Sequence, residues 1–167
     1  MEHGYIIKHD DTTYEIHTDI LINAPAATVW RILTDFTRMP QWSSLFKGLE
    51  GDFTHGGQVF SLYDDPQMGL VKAPHTVYIH DGVKFWWSDE FNVLPGMRDN
   101  HHFIVNPVDD NTSRFIQKDT HTGESRLNIN GETTTMTAET LTALQLAPFM
   151  QFNRELKAEC ERHQKAT

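Results

Sequence analysis

The stretch Tyr14-Glu15-Ile16-His17-Thr18-Asp19-Ile20-Leu21-Ile22-Asn23-Ala24-Pro25, continued by Ala26 to Asp35, decides the architecture. Its first half alternates: Tyr14, Ile16, Thr18, Ile20 and Ile22 fall on one face and Glu15, His17 and Asp19 on the other, with Leu21 the exception. That two-residue period predicts a half-buried strand. Asn23, Ala24 and Pro25 end the strand and start a helix, because Asn caps free N–H groups and Pro suits the first helical turn. Within Ala26 to Asp35, Val29, Ile32 and Leu33 make one apolar stripe that Trp30 widens. A short helical or irregular piece is expected around Met39 to Ser43.

Downstream, from Leu49 to Thr122, short alternating or aromatic runs are separated by turn residues at Gly56-Gly57, Asp64-Asp65-Pro66, Asp81-Gly82, Pro95-Gly96 and Asp109-Asp110-Asn111. This spacing predicts a meander of antiparallel strands, the best being Val59 to Tyr63, Thr76 to His80, Val83 to Phe91, His101 to Val105 and Arg114 to His121. After Gly131 the composition turns helical, and Leu141, Leu144, Phe149, Phe152, Leu156 and Cys160 recur at three- to five-residue steps. Pro148 interrupts that pattern, and a kink or a fresh helix start is expected there. The element order implies an α+β fold in which a curved antiparallel sheet of about six to seven strands wraps a long C-terminal helix. Residues 14–165 read as one domain, preceded by an extension at 1–13. A sheet bent around a helix leaves a pocket wherever the facing side chains do not fill it.

Composition narrows the partners. Acidic residues outnumber basic ones by 23 to 14, a formal net charge of -9, so the surface repels phosphate backbones and nucleic acid is not an expected partner. The lone Cys160 has no internal disulfide partner and reads as inert, and no apolar run suits a bilayer-spanning helix. Residues 1–11 lack the apolar core of a signal peptide, so a cytoplasmic monomer or homodimer without integral membrane association is expected. Adjacent His101 and His102 point to opposite faces of a strand, and no His-Glu-x-x-His or Cys-pair spacing occurs, so no metal is expected. No phosphate-cradling glycine loop and no Gly-x-Ser-x-Gly elbow appears, which removes the usual nucleotide and serine-hydrolase readings, and no cofactor is expected.

The segment Ile22-Asn23-Ala24-Pro25 through Val29-Trp30, Leu33-Thr34-Asp35-Phe36 and Gln41-Trp42 resembles the opening pattern of the START-related SRPBCC superfamily, of the polyketide cyclase/dehydrase and lipid transport type. Leu94-Pro95-Gly96, His101-x-Phe103 before Pro107, and Ser113-Arg114-Phe115 leading to Gly123 are similar to the middle of that pattern. Phe149, Asn153, Leu156 and Lys157 look like its C-terminal helix. The resemblance runs from about Tyr14 to Glu161 and implies the helix-grip fold with a cavity for an apolar small molecule. Where many relatives carry Glu and then Phe before the glycine, this chain has Asp119 and His121, which implies a more polar wall.

Candidate contacts for such a ligand are the rings of Trp42, Phe46, Tyr63, Tyr78, Phe85, Trp87, Phe103, Phe115, Phe149 and Phe152, which offer large apolar area at low entropic cost. Strand parity adds polar groups. His101 shares a face with Phe103 and Val105, while Phe115, Gln117, Asp119 and His121 fall on one face about 7 Å apart, opposite Lys118. Asn153 lies beside Phe152 on the apolar flank of the last helix. The expected function is binding of a hydrophobic molecule, aromatic, polyketide-like or lipid-like. One alternative is a polyketide aromatase/cyclase or dehydratase in which His101, Asp119 and His121 move protons. A second alternative is a lipid or quinone chaperone.

Overall fold

The computed structural model describes residues 1–65, 69–129 and 131–165. Strands β1 (Glu2–Lys8) and β2 (Thr13–Ile22) lead into helix α1 (Ala26–Leu33) and a 3-10 turn at Met39–Gln41. There follow β3 (Phe46–Gly51), β4 (Gly57–Asp65), β5 (Gly69–His80), β6 (Lys84–Trp87), β7 (Met97–Arg98), β8 (His101–Asp109), β9 (Thr112–Ile129), β10 (Glu132–Thr137) and α2 (Ala138–Lys165). The alternation predicted in β2 is realised: Tyr14, Ile16, Thr18, Ile20 and Ile22 are buried.

One antiparallel sheet runs in the order β1-β2-β9-β8-β6-β5-β4-β3, with β7 and β10 also paired to β9. Its long C-terminal helix lies against it, the helix-grip arrangement, but among the described residues ten strands replace the six to seven expected. Three of the additions have a local cause. Residues 2–8, set apart as an extension, pair along β2 from Glu2↔Ile20 to Lys8↔Tyr14. Glu132 to Thr137, expected to be helical, pairs with β9 instead, because the β-branched run Thr133-Thr134-Thr135 prefers an extended backbone. The strand expected from Val83 to Phe91 stops at Trp87, and residues 88–96 form an irregular connection before the two-residue β7. Of the expected turn Asp64-Asp65-Pro66, Pro66 lies outside the described residues.

Helix α2 buries Ala138, Leu141, Thr142, Phe149, Phe152, Asn153, Leu156 and Cys160, a stripe at helical spacing, while Leu144 faces solvent. Of the kink or fresh helix start expected at Pro148, the fresh start does not occur: α2 runs through the proline. Buried residues anchor the helix on each side of the proline, Leu141 and Thr142 before it and Phe149, Phe152 and Asn153 after it. Asn153 Nδ2 donates to Thr18 Oγ1 at 2.9 Å, and that hydroxyl donates to the Gln117 carbonyl at 2.9 Å, tying helix to sheet through buried polar groups. Beneath α1 and the end of α2, Ile22, Val29, Leu33, Val105, Phe115 and Leu156 are all fully enclosed.

Strand β9 changes partners at Gly123, which pairs with Met97 while Glu124 pairs with Thr137. Gly123 has φ +91, and a Cβ there would lie 2.4 Å from the Gly96 carbonyl oxygen. A side chain is excluded twice, by dihedral and by space. Gly123→Ala is expected to lower stability by roughly 1–3 kcal/mol, measured as a shift in the urea midpoint with unchanged slope; an unaltered midpoint contradicts this account.

Candidate functional site

Between α2, the concave side of β4, β5, β8 and β9, and the 88–96 connection lies a cavity of about 420 Å³. Most of its lining is apolar: Leu45, Val71, Ala73, Phe91, Val93, Leu94, Pro148 and Phe149. Into this surface project Ser61, Tyr63, His75, Asp99, His101, Asp119 and Gln145. Pairing puts these groups together. Trp87↔His101 and His101↔Asp119 are register partners across β6, β8 and β9, while Ser61↔Ala73 aligns β4 with β5 and sets His75 diagonally across from Ser61.

His101 is buried and sandwiched: its ring stacks on Phe103 at 4.3 Å and on Phe149 at 4.8 Å, centroid to centroid. Gln117 Nε2 donates to His101 Nε2 at 3.0 Å, which leaves the proton on Nδ1, 3.6 Å from Asp119 Oδ2. Burial pushes the His101 imidazole down to about 4, against the opposing pull of the Asp119 carboxylate. His101 is therefore a neutral side chain at ordinary pH.

Asp119 is the hub of this wall. Its Oδ1 accepts the Asn100 backbone N–H at 3.1 Å and its Oδ2 meets His121 Nε2 at 3.1 Å. Burial pushes its carboxyl up, but the His121 imidazole, the His101 imidazole once protonated in acid, and the bonds from His121 and the Asn100 amide outweigh burial and hold it down to about 2. Behind it, Thr142 Oγ1 spends its one proton on the Ala138 carbonyl at 2.6 Å. That hydroxyl must then accept from His121 Nδ1–H at 2.9 Å, so one further proton lies in the His121–Asp119 contact.

Asp99 has the opposite environment. Its Oδ2 accepts from Trp87 Nε1 at 3.0 Å and its Oδ1 from the Asp89 backbone N–H at 3.3 Å, both uncharged donors. Burial first, then repulsion from Asp119, pushes the Asp99 carboxyl up to about 8. The same two effects, burial and the nearby aspartates, hold Tyr63 in its neutral phenol form. One cavity thus faces an ionised carboxylate, a carboxylic acid and a neutral imidazole.

The residues expected at the site are distributed unevenly around the cavity. Tyr63, His101, Asp119 and Phe149 line the cavity. Gln117 and His121 are buried one layer behind, as partners of His101 and Asp119, and Asn153 is engaged with Thr18. Trp42, Phe46, Phe85, Phe103, Phe115 and Phe152 pack on one another as core, with Phe85–Phe103 at 4.6 Å, Phe46–Phe103 at 5.5 Å and Trp42–Phe152 at 5.5 Å. Trp87 backs the site, stacked on His75 at 4.4 Å. Tyr78 lies on the other face of the sheet, stacked on Trp86 at 5.6 Å, because it is one residue out of phase with His75 and Val77.

Ser61, His75, Asp99 and Gln145 were not expected. Ser61 is in phase with Tyr63 and His75 with Val77, so alternation carried a signal for both; Gln145 precedes Phe149 by one helical turn. Asp99 sits between β7 and β8, where no period operates. Burial and the flanking Glu159 and Glu161 push the Cys160 thiol up to about 12. Among the described residues, no group of three or more His, Cys, Asp or Glu is arranged to hold a metal, and no helix is long and apolar enough to cross a membrane.

A family model described as polyketide cyclase/dehydrase and lipid transport matches residues 13–139. No curated protein matches the sequence. Among solved structures, the Zhui aromatase/cyclase from Streptomyces sp. R1128 aligns with a TM-score of 0.69 at 12% identity, covering 90% of this chain and 94% of that one. A START superfamily protein from Mycobacterium smegmatis aligns at 0.62 and 15% identity, over 89% of this chain and 97% of that one. A norcoclaurine synthase point mutant from Thalictrum flavum, in complex with a transition-state analogue, aligns at 0.61 and 12% identity, over 94% and 99%. At these identities the likeness shows the shared fold.

Asp99 gives a direct test of the cavity's electrostatics. With a folded pKa above its unfolded value, it keeps its proton when folded while the unfolded chain loses it, so this group makes stability fall as pH climbs from the ordinary aspartate range to about 8. Asp99→Asn is expected to match the wild type near pH 4 and to gain on it steadily towards pH 8, by on the order of a few kcal/mol at most. A difference that is flat across urea unfolding curves taken between those pH values contradicts the assignment.

Proposed function

Because the chain belongs to the polyketide cyclase/dehydrase and lipid transport family, we propose that its cavity binds an apolar small molecule bearing oxygen substituents, aromatic or polyketide-like in character. One observation carries this reading: an enclosure of about 420 Å³ is mainly apolar, yet neutral and ionised polar groups converge on it from β4, β5, β8 and β9. Apolar walls supply affinity by removing hydrocarbon from water, at roughly 25 cal/mol per Å². The polar groups select, because a ligand that leaves them unpaired forfeits their solvation. Asp119 accepts from a ligand hydroxyl, and Tyr63 donates to a ligand carbonyl. Gln145 Oε1, buried and without a partner among the described residues, offers a further acceptor.

The expected result is a preference for oxygenated ligands. In isothermal titration, a hydroxylated naphthalene should bind about tenfold or more tightly than naphthalene itself, and His101→Phe, which keeps the ring volume and removes the imidazole, should narrow that ratio. Equal affinities for both compounds in the wild type would remove the polar-recognition half of the proposal. No saturable binding of either would remove the whole.

The pairing of Asp99, a carboxylic acid, with the neutral His101 base in one cavity favours a second reading, an aromatase/cyclase or dehydratase. In that reaction His101 Nε2, once released from Gln117, takes a proton from an acidic carbon flanked by carbonyls. Asp99 delivers a proton to the departing or forming hydroxyl. Apolar walls hold the chain folded, the larger contribution. With a poly-β-ketone substrate, Asp99→Asn is expected to lower kcat by about 100-fold or more with KM little changed. Absence of turnover in a protein that binds the same substrate excludes the enzyme and retains the binder.

A further inference from the structure

Away from the His101–Asp119 wall, the cavity holds a second polar cluster on β4 and β5. His75 Nδ1 lies 3.1 Å from Asp89 Oδ2, and His75 Nε2 lies 2.9 Å from Ser61 Oγ. Both Ser61 and His75 are buried from bulk solvent and both line the cavity, while Asp89, just past the end of β6, is partly exposed on the far side of the imidazole. We propose that Ser61, His75 and Asp89 form a nucleophilic centre in which Ser61 accepts the acyl group of an ester or thioester whose apolar chain occupies the cavity. The proposal rests on the reading of the cavity as an apolar ligand site.

The geometry orders the protons. Asp89 faces Nδ1, so Nδ1 carries the imidazole proton and donates it, and Nε2 presents a lone pair. The Ser61 hydroxyl donates to that lone pair at 2.9 Å in preference to the Ala73 carbonyl at 3.4 Å. This is the arrangement of nucleophile, base and orienting carboxylate that recurs on unrelated folds and is recognised by roles rather than by chain order. Burial pushes the His75 imidazole down, against the pull of Asp89, which keeps the base unprotonated and able to accept.

The imidazole is held from every side that matters. The Trp87 ring stacks on it at 4.4 Å, and Trp87 is itself fixed by its bond to Asp99. Asp89 is fixed through its backbone, which donates to Asp99 Oδ1 and accepts the Asp99 N–H at 3.0 Å. Ala73 is the register partner of Ser61, so the side chain directly opposite the nucleophile is a methyl group, leaving room for an acyl carbon. Tyr63, two residues on along β4 and lining the same cavity, is a neutral phenol that supplies an O–H to the oxyanion.

The step balances without a cofactor. Ser61 Oγ bonds to the carbonyl carbon as its proton passes to His75 Nε2, and the carbonyl π pair moves to oxygen beside the Tyr63 O–H. Collapse of that tetrahedral species breaks the bond to the leaving alkoxide or thiolate, which takes the proton from His75. Water then adds to the acyl carbon as its proton passes to His75 Nε2, and collapse breaks the bond to Ser61 Oγ, which takes that proton back from His75, releasing a carboxylic acid and restoring Ser61.

An alkyl fluorophosphonate tests this on the folded protein. The wild type should gain the mass of one phosphonyl group, mapped by peptide sequencing to Ser61, and Ser61→Ala should gain none. His75→Gln should label at least ~100-fold more slowly, and Asp89→Asn more slowly than the wild type, with folding of each variant checked by its unfolding transition. Labelling at any other serine, or at Ser61 at a rate indifferent to His75→Gln, overturns the proposal. Titration of the wild type with naphthols separates the two ideas: ligand binding without labelling sinks the nucleophile alone, and labelling without ligand binding sinks the cavity reading alone.

Discussion

Strand β9 is hydrogen-bonded on both edges, and the rest of the molecule is arranged around that pairing. From Ser113 to Asp119 it lies between β2 and β8, at Thr122 and Gly123 it pairs with β7, and from Glu124 to Ile129 it pairs with β10. Two-sided pairing fixes its register, and a slip by one residue would exchange the buried Phe115, Gln117, Asp119 and His121 for Ile116, Lys118 and Thr120. The register thereby decides that a carboxylate and an imidazole, rather than a lysine, stand under α2. The exchange of partners at Gly123 turns the chain back through β10 and delivers it to the start of that helix. Gly96 and Gly123 let the β7 and β9 backbones meet at this point, which gives a physical reason for glycine at both positions.

Burying that polar face has consequences for chemistry. Inside an apolar enclosure a charge persists only where partners hold it. Asp119 has His121, His101 and the Asn100 amide, and stays ionised; Asp99, some residues away, has the Trp87 indole and one backbone amide as its side-chain donors among the described residues, and keeps its proton. Two aspartates of the same intrinsic acidity are driven to opposite states by the number and charge of their neighbours. The core on the far side, where Phe46, Phe85, Phe103 and Phe152 pack ring against ring, leaves no room for a ligand and acts as a rigid backing for the cavity.

Aromatic residues show how far a one-dimensional reading reaches. Alternation along β6 and β8 correctly turns Phe85, Trp87, His101 and Phe103 inward, but inward covers both core and cavity. Which of the two a ring meets depends on how closely α2 approaches at that level of the sheet. Near Phe152 and Leu156 the helix is in full contact with the sheet; near Gln145 and Pro148 it stands off, and the cavity opens. Tyr78 was assigned inward through its aromaticity, and parity with the buried His75 and Val77 sends it to the other face.

What the amino-acid sequence determined by itself is local. Side-chain alternation and helical spacing, the Asn-Ala-Pro helix start, the sign of the charge and the family pattern are all encoded within a few residues of one another. From these the helix-grip fold, the inward faces of β2 and β9 and the burial of His101 and Asp119 were legible. Only the tertiary structure decided which buried groups touch. Ser61, His75 and Asp89 are each 14 residues from the next, and Asp99 is 20 from Asp119; their distances follow from sheet register, loop paths and the stand-off of α2. The protonation states and the boundary between core and cavity depend on those through-space distances, so no period in the chain records them.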